Sequence, residues 1–128
     1  MRKETRVWVQ KAEDDYLASV DLIDGPDQLH DQVCFHCQQS AEKYLKALLE
    51  EAARSIPKIH DLDGLLNLVL PIHPSLRSLK RGLLMLSNYA VATRYPGTNA
   101  TKRQAAAALR WAERVREKCR SLLGLKPS

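Results

Sequence analysis

At 128 residues the chain has the length of one domain, expected over residues 1–128, with surface enough to bury a single core. One Phe, two Trp and four Tyr leave that core to Leu, Ala and Val, which favours helices, and no run of eighteen apolar residues offers a membrane span. The net charge of +5 divides sharply: residues 1–70 carry eight Lys/Arg against thirteen Asp/Glu, a net −5, and residues 71–128 carry twelve against two, a net +10.

The first predicted helix runs from about Thr5 to Ile23. Trp8, Val9, Ala12, Tyr16, Ser19, Val20 and Ile23 share one face, with Gln10, Lys11, Asp14 and Asp21 turned away. Gly25-Pro26 ends it. The central stretch, His30 to Ser55, is expected to be one long helix around which the rest is arranged. Val33, Cys34, Cys37, Ser40, Ala41, Tyr44, Leu45, Leu48, Leu49 and Ala52 form a broad apolar or small-residue sector, and Glu42, Lys43, Lys46 and Glu50 group on the opposite side. A sector that broad needs more than one neighbouring helix. Asp27 or Asp31 is the expected cap, because a short carboxylate accepts the unpaired amides of a first turn. Pro57 closes the helix by biasing Ile56 away from helical backbone.

HDLDGLLNLVLP, residues 60–71, reads as a short helix capped by Asp61 and bounded by Pro71. A further helix spans Ser75 to Thr93, opened by Pro74, with Leu76, Leu79, Leu83, Leu86, Ala90 and Val91 inward; Gly82 and Ser87 lie near that side, where they let another backbone approach. Arg94-Tyr95-Pro96-Gly97 turns the chain. The last helix covers Thr101 to Leu123, with Ala105, Ala108, Leu109, Trp111, Ala112, Val115, Cys119 and Leu122 inside, an outer ridge of Arg103, Arg110, Arg114 and Lys118, and Gly124 as its end signal. The expected fold is all-α, an antiparallel up-and-down bundle of four to five helices. The opening MRKETRVWVQKAEDD has no signal-type apolar segment, and three cysteines are too few and too odd in number for a secreted disulfide framework, so a cytoplasmic protein is expected.

Cys34 and Cys37, spelled CFHC, suggest a zinc or redox pair. Both fall on the apolar sector of an unbroken helical pattern, however, and the third cysteine is far along the chain, so no metal site is expected. Arg54 and His60 form an Arg-x5-His pair, the two residue types that a metal-free ribonuclease uses to hold a phosphate and move the proton of a 2′-hydroxyl. The pair straddles a helix end, which makes it a weak catalytic candidate. Arg94, fixed by the turn at Tyr95, is the stronger phosphate or carboxylate ligand, or else pairs with a carboxylate of the first half, and Gln38, Gln39, Lys43 and Lys46, with Glu42 between them, form a polar strip beside His36 on the central helix. The basic second half suits phosphate backbones or an acidic partner, and equally the attraction of oppositely charged surfaces in two copies of the chain. There is no phosphate-cradling glycine loop, no His-Glu-x-x-His and no paired-carboxylate spacing.

WVQKAEDDY at 8–16, FHCQQSAEKYLKALL at 35–49, IHDLDGLL at 59–66 and SNYAVATRYP at 87–96 together resemble the HEPN family, named for nucleotide binding in higher eukaryotes and prokaryotes. The resemblance, to the small prokaryotic stand-alone type, implies a homodimeric helical bundle, made as the companion of a minimal nucleotidyltransferase in toxin–antitoxin-like pairs. It also implies a nucleotide or phosphate ligand, here assigned to His36, Gln39, Lys43, Arg94 and Tyr95, with no cofactor. Many members are metal-independent ribonucleases with an Arg-x4–6-His motif late in the fold. This chain departs from that pattern: its last histidine is His73, and Arg54-x5-His60 lies too early. A binding module is therefore expected, with a metal-independent ribonuclease or RNA-binding toxin as the competing reading.

Overall fold

The computed structural model describes residues 1–127 and contains five α-helices and no strand among them. These are α1 (Lys3–Ile23), α2 (His30–Glu51), α3 (Leu62–Val69), α4 (Lys80–Ala92) and α5 (Lys102–Leu122), with a 3₁₀ segment over Pro74–Leu79 leading into α4. The chain is an all-α, up-and-down helix bundle, as its apolar periodicity predicts. No helix among the described residues is long and apolar enough to cross a membrane.

α2 is the axis. It packs against α1, α3, α4 and α5, because its apolar sector is wide enough to serve several partners. Tyr44, Leu45, Leu48 and Leu49 of α2 meet Leu62, Leu65 and Leu66 of α3, Leu76 of the 3₁₀ segment, and Leu83 and Leu86 of α4 in one core, all of them 2 % exposed or less. Each such leucine contributes roughly 1.5–3 kcal/mol on leaving water. α5 supplies mostly small residues, Ala105, Ala108, Ala112, Val115 and Cys119, so its backbone can lie close to α2.

Local chemistry sets the ends. Asp61 caps α3 by accepting the Asp63 and Gly64 amides, each at 3.2 Å. Thr101 and Gln104 form a reciprocal capping box at the start of α5. Gly124, at φ +74°, ends α5 in a Schellman motif in which Leu125 N–H donates to Arg120 O at 2.8 Å and Gly124 N–H to Ser121 O at 3.1 Å.

Several expected boundaries and faces need correction. α2 stops at Glu51, not Ser55, because Ala53 takes a left-handed φ of +56° and closes a second Schellman motif, Arg54 N–H to Leu49 O at 2.9 Å and Ala53 N–H to Glu50 O at 3.0 Å. Pro57 lies beyond this stop. Neither Asp27 nor Asp31 caps α2; its N-cap is Leu29 with no side-chain bond, and Asp31 instead accepts the Ala100 amide at 2.6 Å, tying α2 to the entry of α5. The helix expected from Ser75 is 3₁₀ as far as Leu79. Val91 and Leu122, expected inward, are exposed. Glu42 and Lys46, expected on the side of α2 away from the core, are 3 % and 5 % exposed. Each cancels the other's charge across one helical turn, with Lys46 Nζ 3.1 Å from Glu42 Oε2, and this pairing permits their burial.

Gly82 has a steric reason. A Cβ there would lie 2.0 Å from Cε3 of Trp111, so the α4 backbone rests directly on the indole face and joins α4 to α5. Arg114 covers the ring at 4.8 Å from its centroid.

Candidate functional site

A cleft of about 200 Å³ opens where α2, the 59–62 linker and the C-terminal half of α4 meet. Gln38 forms part of its floor, His60 and Asp61 its linker wall, and Ser87, Ala90, Val91 and Arg94 its α4 wall. The walls are held by hydrogen bonds that cross elements. Gln38 Nε2 donates to the His60 carbonyl at 3.1 Å, fixing the linker to α2, and Leu62 N–H donates to Ser87 Oγ at 3.4 Å, fixing its end to α4. The lining therefore has a set shape without any ligand.

Beneath the cleft lies the buried Glu42. His60 Nδ1 sits 3.1 Å from Glu42 Oε1 and 3.3 Å from Oε2, while Lys46 holds the other side of the carboxylate. With Nδ1–H donating to Glu42, Nε2 is left as the ring's free nitrogen. Arg94 is exposed at the rim and forms no ion pair among the described residues. A guanidinium with no carboxylate at ion-pair distance, in one cleft with an oriented imidazole, can bind a phosphate or carboxylate through two parallel N–H bonds.

The residues expected at a ligand site do not all meet. Arg94 lines the cleft, and His60, first read with Arg54, lies in it with Arg94 instead. Arg54 follows the left-handed turn at the end of α2 and is exposed outside the cleft. His36 and Lys43 turn toward α1, where both pair with Asp15, His36 Nδ1 at 2.8 Å from its Oδ1. Gln39 donates to Gln38 Oε1 at 2.8 Å. Tyr95 is 63 % exposed and does not line the cleft.

Cys34, Cys37 and Cys119 are fully buried, and burial pushes their thiols up to about 11, about 12 and about 12. They stay protonated and unreactive at neutral pH. No group of three or more His, Cys, Asp or Glu side chains among the described residues is placed to hold a metal.

Sequence reasoning put Gln38, Glu42 and Lys46 in one polar strip but missed their burial as a bonded unit. Their i, i+4, i+8 spacing was the available signal, since three polar residues stacked on a central helix must share partners once that helix is covered. It also missed a network joining α1, α2 and α5. Arg116 donates to Glu13 from Nε at 2.7 Å and from Nη2 at 2.8 Å, Tyr44 donates its hydroxyl to the same carboxylate, and Arg120 lies 3.4 Å away. Burial pushes the Glu13 carboxyl up, but the hydrogen bonds from Arg116 and Tyr44 and the two arginine charges outweigh it and hold it below its ordinary value.

A family model for the HEPN domain matches residues 5–122, from the first turns of α1 to the end of α5, and so covers every element that builds the cleft. The chain belongs to the HEPN family. Neither the curated proteins nor the solved structures gave a match to it. In this HEPN chain the segments IHDL, SNYAVATRYP and FHCQQ all contribute to one cleft, through His60 and Asp61, through Ser87 to Arg94, and through Gln38. Both α4 and α5 lack histidine, so an Arg-x4–6-His pair cannot be assembled on those helices.

Proposed function

We propose that this protein is a binding module of the small prokaryotic stand-alone HEPN type, a homodimer that partners a minimal nucleotidyltransferase in a toxin–antitoxin-like pair. Its cleft takes a phosphate group of a nucleotide. The observation that carries the ligand assignment is the placing of an unpaired Arg94 and a carboxylate-anchored His60 in one preformed cleft. Size refines it: at about 200 Å³ the cleft falls below the roughly 300–1,000 Å³ of sites that enclose a whole small molecule. It admits a phosphate group while the nucleoside stays outside. The partner assignment rests on family membership.

The test is calorimetric titration of the protein with ATP, and co-expression with the product of the neighbouring gene followed by light scattering. Binding heat that Arg94→Ala abolishes and Arg54→Ala leaves intact is expected, as is a stable complex of the two proteins. No heat and no complex would remove this reading.

One observation favours the competing ribonuclease reading, namely the carboxylate behind His60. An imidazole anchored by Glu42 leaves Nε2 free to accept the proton of a 2′-hydroxyl while Arg94 stabilises the charge that develops on the phosphate. Incubation of tRNA and mRNA in EDTA with wild-type, His60→Ala and Arg94→Ala proteins separates the two. Intact RNA at high protein concentration leaves the binding module, whereas cleavage lost in both variants establishes the enzyme.

A further inference from the structure

The outward face of α4 is unpartnered and has the pattern of a helix-packing seam. Arg81, Leu84, Asn88 and Val91 follow one another at spacings of three, four and three within α4, the repeat that keeps a row of side chains facing a second helix. Leu84 is 40 % exposed and Val91 51 %, apolar side chains that the bundle covers only in part. Asn88 lies between them, as single polar residues do in seams where register matters. Beside Leu84 the surface forms a shallow, open groove of about 500 Å³ whose lining includes Leu84, Met85, Arg77, Lys80 and Arg81.

Charge selects the occupant. The groove lining contains three cations and no carboxylate, and the chain has no Asp or Glu anywhere between Asp63 and Glu113. A second copy laid along the same face would meet cations in either direction. Parallel, it brings Arg77, Lys80 and Arg81 against themselves; antiparallel, it brings them toward Arg94. Like charges set against each other across an interface cost several kcal/mol. Nucleic acid would use the cations but leave Leu84, Met85 and Val91 without a partner.

We propose that this ridge of α4 docks an acidic amphipathic helix from a different protein, its apolar stripe on Leu84 and Val91 and its carboxylates on Arg77, Lys80 and Arg81. The proposal does not depend on what the cleft binds. Because Val91 belongs to both surfaces, a helix seated along the ridge reaches the mouth of the cleft.

The experiment is selection from a displayed library of helical 21-residue peptides, with apolar residues at heptad positions and randomised charges on the flanks, using the full chain as bait. Enriched peptides are expected to be net acidic. Their affinity should fall about tenfold or more with Leu84→Asp and separately with Arg81→Glu, and stay unchanged with Arg54→Glu. All three substitutions are at exposed positions, and circular dichroism verifies that each variant keeps its helix content. Absence of enrichment, enrichment of neutral or basic peptides, or affinities indifferent to Leu84→Asp would overturn the proposal. So would sedimentation in which Leu84→Asp converts a dimer to a monomer, which assigns the ridge to a second copy. Binding of a 20-nucleotide RNA that is lost with Arg81→Glu and kept with Leu84→Asp would assign the ridge to nucleic acid and overturn it equally.

Discussion

Ala53 holds a left-handed backbone, φ +56°, that costs an L-residue roughly 1–2 kcal/mol. It does so because the two hydrogen bonds of the motif at the end of α2 require that conformation. Glycine removes the steric cost and adds some unfolded-state entropy, so Ala53→Gly is expected to stabilise the fold by about 0.5–1 kcal/mol, seen as a rise of roughly 2–4 °C in melting temperature. Glu13 is the residue with the clearest pH signature. Its carboxyl lies below its ordinary value of 4.5 in the folded chain, so its contribution is complete above that value and is lost as pH falls through the depressed one. Glu13→Gln should destabilise the protein by about 1–3 kcal/mol at pH 7, leaving Arg116, Arg120 and the Tyr44 hydroxyl short of an acceptor. The gap between wild type and variant should close progressively below pH 4.5, measured by urea unfolding across pH. A gap that stays constant to pH 2 would show that the carboxylate's charge is not what matters.

Between α4 and α5 the contact is a backbone on a ring, and its weak point is Gly82. In an open helix Gly→Ala gains about 1 kcal/mol. Here the new methyl must displace Trp111, and overpacking of that kind costs typically 1–3 kcal/mol or more, so Gly82→Ala is expected to lower stability by roughly 2 kcal/mol net of the helix gain. In a Trp111→Ala background the same substitution should cost little, and the double-mutant cycle reads the difference as coupling. At this scale the sequence was informative where the cause is local. The Asp61 cap, the Gly124 stop and most of the apolar faces of α1 and α5 follow from residues within one or two turns, whereas at Gly82, where another backbone was expected to approach, it is the Trp111 ring that lies close. The end of α2 at Glu51 did not, because no glycine marks it and alanine ordinarily continues a helix. The burial of Gln38, Glu42 and Lys46 depends on what covers them, and periodicity alone assigns polar residues to solvent. The same holds for the cleft: Arg94 was legible as a candidate, and so was His60 in the wrong company, but their meeting is decided by how the 59–62 linker is stitched to α2 and α4.

For the molecule as a whole, α2 carries the cooperativity. It is the helix packed on all four others, so opening any of its middle amides requires the bundle to come apart, whereas the exposed turn from Arg94 to Asn99 can open alone. Native-state hydrogen exchange should find the α2 amides around Tyr44–Leu48 exchanging only with global unfolding, and those of 94–99 orders of magnitude faster. Protection greater in α5 than in α2 would show that the axis is elsewhere. The bundle also contains its own optical probes. Its two indoles sit at different junctions, each beneath a cation: Trp8 under Lys46 at 5.6 Å where α1 meets α2, and Trp111 under Arg114 at 4.8 Å where α4 meets α5. Replacing Trp8 with Phe leaves a single indole, against the inner side of α4, so tryptophan emission alone can follow whether that helix shifts when something settles on its outer side.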